Sequence, residues 1–221
     1  MKGRAPLAWL VIGFLCMACR IQAVAAEETG YSAAALYNSA NAYARAGKPG
    51  LAVLNYERAS LLAPADPDVN ANLRFVRESS HVAAEPQRWS DRLVKLAPPA
   101  VVAWLGVAGV AMMGAGLLAG LLAPRRRRTR RLAMVAGAAL VGFTLSNGLV
   151  LWPKLHEAVI LSEATPARVS PVPMGDPLFV LPEAETVRIT AEHDDFVLVR
   201  TRAGRAGWVS RANLAPVVPR R

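Results

Sequence analysis

The sequence predicts a multi-domain membrane protein: an α-helical hairpin module, a two-helix transmembrane hairpin, and a C-terminal small all-β barrel. Three observations predict it. Residues 101–123 and 132–152 are uncharged runs of 23 and 21 residues, each long enough to cross a hydrocarbon core of roughly 30 Å as a helix. Ahead of them, residues 31–78 carry apolar residues at helical spacing, punctuated by Gly47, Pro49, Pro64 and Pro67. After them, from residue 155, short Val-, Ile-, Leu- and Phe-containing runs alternate with turn residues.

The connector 124–131 is too short for anything but an antiparallel turn between two spans. It holds Arg125, Arg126, Arg127, Arg128, Arg130 and Arg131. Translocating six arginines costs on the order of 15–20 kcal/mol on insertion scales. The loop is therefore expected in the cytoplasm, where it can also hold anionic lipid headgroups, and both flanks are expected on the other side. This explains the net charge of +10 in 221 residues: nine of the positive charges lie in the leader and this loop, and the remainder is nearly neutral. No basic face is left to track phosphates, so nucleic acid is not an expected partner. Neither span contains Asp, Glu, Lys, Arg or His, which argues against an ion pathway. Small residues recur in both, including Gly116 and Gly120 at G-x-x-x-G spacing. They suit close helix packing, of the hairpin on itself or on another membrane protein.

Residues 1–26 read as a secretory signal peptide. Lys2 and Arg4 precede an apolar run over 7–19, and Ala23, Ala25 and Ala26 suit cleavage near Ala25 or Ala26. An uncleaved anchor is the alternative. Cys16 and Cys19 are the only cysteines. Their C-x-x-C spacing lies inside the apolar run, outside any redox or metal context. Lipidation at Cys19 is an alternative, although Cys16 stands where a lipobox has Leu.

Helices are expected over 32–46, 49–62 and 68–78, with Gly47 just past the first and Pro49 in the first turn of the second. Leu36, Ala40, Tyr43, Gly47, Ala52, Tyr56, Ala59 and Pro64 fall at the offsets of a tetratricopeptide (TPR) repeat, and the segment resembles one. The departure is Ser39, where the pattern has Leu, a change expected to loosen the packing. Residues 31–78 hold one repeat plus one helix, while solenoids need about three repeats. The module is therefore expected to borrow stability from a partner, a second copy or the membrane-proximal segment. The resemblance implies a protein-binding groove lined by Tyr37, Asn41 and Arg45, spaced four apart. A solvated helix face is the alternative. Residues 79–97 read as a linker followed by an amphipathic helix, with Trp89, Leu93 and Leu96 on one face. That helix is expected to lie at the membrane or to pack on the TPR unit.

Strands are expected near 158–161, 178–181, 186–190, 196–201 and 206–209, with turns at Asp194-Asp195 and Ala203-Gly204. The order of these strands over 155–217, ending in Gly207-Trp208-Val209, resembles a bacterial SH3 (SH3b) domain. Trp208 is expected in the core, with a groove position as the alternative. The histidines His81, His156 and His193 are scattered without metal-ligand spacing, and no nucleophile elbow or phosphate loop occurs. No catalytic residue, metal or cofactor is expected.

Leader, TPR, two spans and SH3b in this order resemble the BatE-type family of the bacterial aerotolerance (Bat) operon. The resemblance implies an inner-membrane protein with both flanking domains in the periplasm, working beside membrane-anchored von Willebrand A-domain proteins and a MoxR-type ATPase. The expected function is a non-enzymatic scaffold presenting its modules to envelope partners. The alternative is a cell-wall sensor that binds peptidoglycan through the SH3b domain.

Overall fold

The computed structural model describes residues 31–82, 97–122 and 127–219. The leader with Cys16 and Cys19, the Trp89–Leu93–Leu96 segment, and Arg125 and Arg126 lie outside the described residues. Among the described residues are five α-helices and one antiparallel sheet of seven strands. They divide into two compact units, one of residues 97–149 and one of residues 32–82 with 150–219.

The first unit is a helical hairpin, α4 (Pro99–Leu122) and α5 (Arg127–Leu151). Both are long and apolar enough to cross a membrane, and only 17% and 11% of their most apolar windows are buried within the protein. The core helix of a soluble protein would be mostly buried. Glycines set the helix–helix contact. A Cβ on Gly109 would meet the Gly137 carbonyl oxygen at 2.8 Å, and one on Gly137 would meet the Gly109 carbonyl oxygen at 2.6 Å. Gly106 faces Thr144, whose hydroxyl donates to the Val102 carbonyl at 3.1 Å, and Gly116 faces Met134. These glycines therefore pack the hairpin on itself. Gly114, Gly142 and Gly148 have no neighbour within 4 Å of an added Cβ. The basic connector is shorter than expected: α5 already begins at Arg127. Arg and Leu are good helix formers, so the helix propagates into the charged stretch.

The second unit joins a helical module to the sheet. Helices α1 (Ala33–Arg45), α2 (Pro49–Leu62) and α3 (Pro67–Ser79) fall within a residue or so of their expected limits. The Ser32 hydroxyl accepts from the Ala35 N–H at 3.1 Å, and the Asp66 carboxylate accepts from the N–H groups of Asp68 and Val69 at 2.9 and 3.2 Å. Gly47 adopts φ +67° after α1, the left-handed residue that ends helices. Ala40, Ala52 and Ala59 are fully buried between the helices. Ser39 is exposed and donates to the Ala35 carbonyl at 2.9 Å, so it does not loosen the packing as expected.

The strands are β1 (Glu157–Ile160), β2 (Thr165–Arg168), β3 (Pro177–Leu181), β4 (Thr186–His193), β5 (Phe196–Arg200), β6 (Ala206–Ser210) and β7 (Leu214–Pro216), in the order β3-β2-β6-β5-β4-β1-β7. Five were expected. The two extra strands, β2 and β7, are four and three residues long and each contains proline, which hides the strand signal. Ala167 and Leu181 from one end of the strand order share a core with Ile160 and Leu214 from the other. The sheet is therefore wrapped around its core. Asp194 (φ +48°) and Gly204 (φ +84°) occupy the expected turns.

A second apolar core lies between helices and sheet. Ala40, Ala52, Val53, Leu54, Tyr56, Leu73 and Val76 pack with Val159, Ala184 and Val217. Strand alternation explains this. Ala158 and Ile160 enter the core enclosed by the sheet, while Val159 between them points outward onto the helices. The helical module thus gains its stability from the β domain, which is none of the three sources expected. Helix α3, which follows the single helical hairpin without a partner helix of its own, packs on α2 and reaches the sheet through Arg77, which bonds Thr186 of β4.

Candidate functional site

The expected groove residues lie on one face of α1, joined by residues of α2 and α3. The Asn72 amide donates to the Tyr37 hydroxyl at 2.9 Å and to Asn41 Oδ1 at 3.3 Å. The buried Tyr56 donates its hydroxyl hydrogen to the same Asn41 oxygen at 2.6 Å. The Tyr37 and Tyr56 rings meet edge to face, with centroids 6.0 Å apart. Burial pushes the Tyr56 phenol above its ordinary pKa, with the neighbouring Tyr37 adding to it and Asn72 and Arg45 opposing it. The phenol therefore stays a neutral donor. Tyr37 and Asn41 are half-buried and fixed by this network, and Arg45 is exposed. Among the described residues the Asn41 amide nitrogen has no partner, which leaves donors from Asn41 and Arg45 on one face. Phe75, one turn from Asn72 on α3, is 70% exposed.

Sequence reasoning missed Asn72 and Phe75. The available signal was asparagine in a helix interior, where its weak propensity needs compensation.

Trp208 does not enter the core enclosed by the sheet. Gly207 and Val209 on either side of it are buried, so alternation along β6 turns the indole to the outer face. There it is half-buried, opposite Leu198 on β5 and Arg168 on β2. The His193 ring meets it edge-on, with centroids 6.3 Å apart. The core position belongs to Gly207, where an added Cβ would meet the Ala167 Cβ at 2.9 Å. The Gly-Trp pair thus gives its small residue to the interior and its large one to the surface. The Arg168 guanidinium donates to the Gly175 carbonyl, fixing the β2–β3 loop. At the loop's tip Met174 is 95% exposed.

Of the arginines expected to set topology, Arg127, Arg128, Arg130 and Arg131 occupy the first turns of α5. His81 sits in a left-handed turn after α3, His156 lies against Trp152 with ring centroids 5.1 Å apart, and His193 lies beside Trp208. Among the described residues there is no group of three or more His, Cys, Asp or Glu side chains placed to share a metal ion.

Compared with known proteins, the chain matches no protein-family model, and no curated protein is significantly similar to it.

Proposed function

We propose that the chain is a non-enzymatic inner-membrane scaffold that presents a TPR-like face and an SH3b-like face to envelope partners from one rigid unit. The observation that carries this reading is the joining of helices and sheet around a shared core, with a donor-bearing face left open at Asn41 and Arg45. Such donors suit the backbone carbonyls or terminal carboxylate of a peptide. Two membrane-length helices anchor the unit, and the arginines at their turn hold that turn in the cytoplasm against anionic headgroups. The order of parts, similar to the Bat-operon family, supports von Willebrand A-domain proteins and a MoxR-type ATPase as partners.

The test is crosslinking in intact cells, followed by identification of the proteins that purify with the full-length chain. Arg45→Glu reverses an exposed charge without touching the core and is expected to lose membrane-protein partners. A partner set unchanged by both Arg45→Glu and Trp208→Ala would sink the scaffold reading.

The outward Trp208 favours a second reading, a cell-wall sensor. Full-length protein in detergent would then sediment with purified peptidoglycan, and Trp208→Ala would abolish this. Failure to sediment would remove the sensor reading.

A further inference from the structure

We infer that residues 32–82 and 157–217 are one obligate folding unit, a clasp closed by two segments that flank the membrane hairpin in the sequence: neither segment completes its fold alone, and both must reach the same face of the membrane before either can bind. The same-face part rests on reading α4 and α5 as membrane spans. The clasp itself rests on four contacts.

The first is a buried ion pair completed from both segments. Arg77 on α3 pairs with Glu57 on α2, and its guanidinium also donates to the Thr186 hydroxyl of β4 at 3.0 Å. Arg77, Glu57 and Thr186 are 4%, 6% and 4% exposed. A buried charge pair holds only while every partner is in place. The second contact is a borrowed cap. Lys48 gives the N-terminus of α2 no side-chain bond. The Glu183 carboxylate, in the β3–β4 turn, accepts from the Gly50 N–H at 2.9 Å across 133 residues of chain. A carboxylate at that position also meets the positive end of the helix dipole.

The third contact is at Gly50, where an added Cβ would meet the Ile160 carbonyl oxygen at 2.7 Å. The backbone of α2 lies directly on β1. Beside it, Ala184 holds a left-handed φ of +68° yet is fully buried in the shared core. Such strain persists only where the surroundings over-determine it. The fourth is at the chain's end, where Arg58 donates to the carbonyls of Val217 and Pro216 at 2.9 and 3.0 Å. Segments that dock this way, separated by two membrane crossings, must lie on one face.

The test uses the full chain with Cys16 and Cys19 replaced by alanine and one cysteine reporter at a time. Ala52→Cys lies in the helical part and Val199→Cys in the core enclosed by the sheet, both fully buried. Labelling by a membrane-impermeant maleimide in native membranes reads their opening. Glu183→Ala changes only the sheet's turn, yet is expected to speed labelling at Ala52→Cys about fivefold. Arg77→Ala is expected to speed both reporters together, about tenfold or more. Glu57→Leu with Arg77→Met, which fills the space without charge, is expected to keep both protected. Opening of Ala52→Cys alone in Arg77→Ala would overturn the clasp, as would no response to Glu183→Ala. Alkaline carbonate extraction tests the spans separately. A chain released by it would overturn the same-face claim while leaving the paired response of the reporters to decide the clasp.

Discussion

Arg77 shows how much can depend on one side chain. Its guanidinium is out of water and satisfied by a carboxylate and a hydroxyl. Arg77→Ala would strand the Glu57 carboxylate in a low-dielectric interior, at a cost of about 3–5 kcal/mol, whereas the apolar double variant Glu57→Leu with Arg77→Met is expected within about 2 kcal/mol of the parent. Thermal unfolding followed by circular dichroism checks both. Glu185 gives a pH signature. Burial raises its carboxyl above the ordinary value, and Arg205 and Arg202 only partly oppose this. A carboxyl with a raised folded pKa contributes stability that is complete below its unfolded pKa and lost as pH rises through the folded one. Glu185→Gln is therefore expected to raise the unfolding temperature by a few degrees at neutral pH and to leave it unchanged well below the ordinary glutamate range. An equal gain at both pH values would show that charge is not the cause.

At the scale of elements, the two membrane-length helices and the helical module were legible because their signals are long and periodic. Helix α2 begins at Pro49 and ends at Leu62 as its Pro and the following Ala-Pro break dictate. Strands β2 and β7 were not legible, because Pro166 and Pro216 argue against strands; β7 finds its place by pairing with the distant β1, and β2 by pairing with β3 and, at Arg168, with the distant β6. The polar face of α1 was legible in part: the spacing of Tyr37, Asn41 and Arg45 placed them on one face, but only packing brought Asn72 to bridge Tyr37 and Asn41. In the α4–α5 hairpin, Gly109 and Gly137 allow backbone contact that no larger residue permits. A Gly116→Cys, Met134→Cys pair is expected to form a disulfide on oxidation, since the Cβ at 116 lies 3.1 Å from Met134 Cγ. Adding Gly137→Val should force the helices apart and abolish it. Persistence of the disulfide would place the hairpin contact elsewhere.

At the scale of the molecule, the helices and the sheet share a core although two membrane-length helices separate them in sequence. A peptide of residues 31–82 alone is expected to stay largely unfolded by circular dichroism, because the partners that cover α2 and α3 lie after residue 157. Joining it to residues 155–219 through a flexible linker of about 15–20 residues, in place of the hairpin, is expected to give a soluble protein with one cooperative transition. Two separate transitions would show that the parts are autonomous.

The sequence by itself determined the membrane-length helices, the three outer helices and five of the strands. Hydrophobic period, charge and Gly or Pro punctuation act locally, so nearby residues carry that information. Only the tertiary structure decided what the outward faces do. Val159, Thr186 and Ala184 look like ordinary strand and turn residues until α2 and α3 cover them. Trp208 reads as core until Gly207 is found to occupy the interior position beside it. Which of two alternating faces is buried depends on what docks there, and the docking partner comes from 133 residues away in the chain at the Gly50–Glu183 contact.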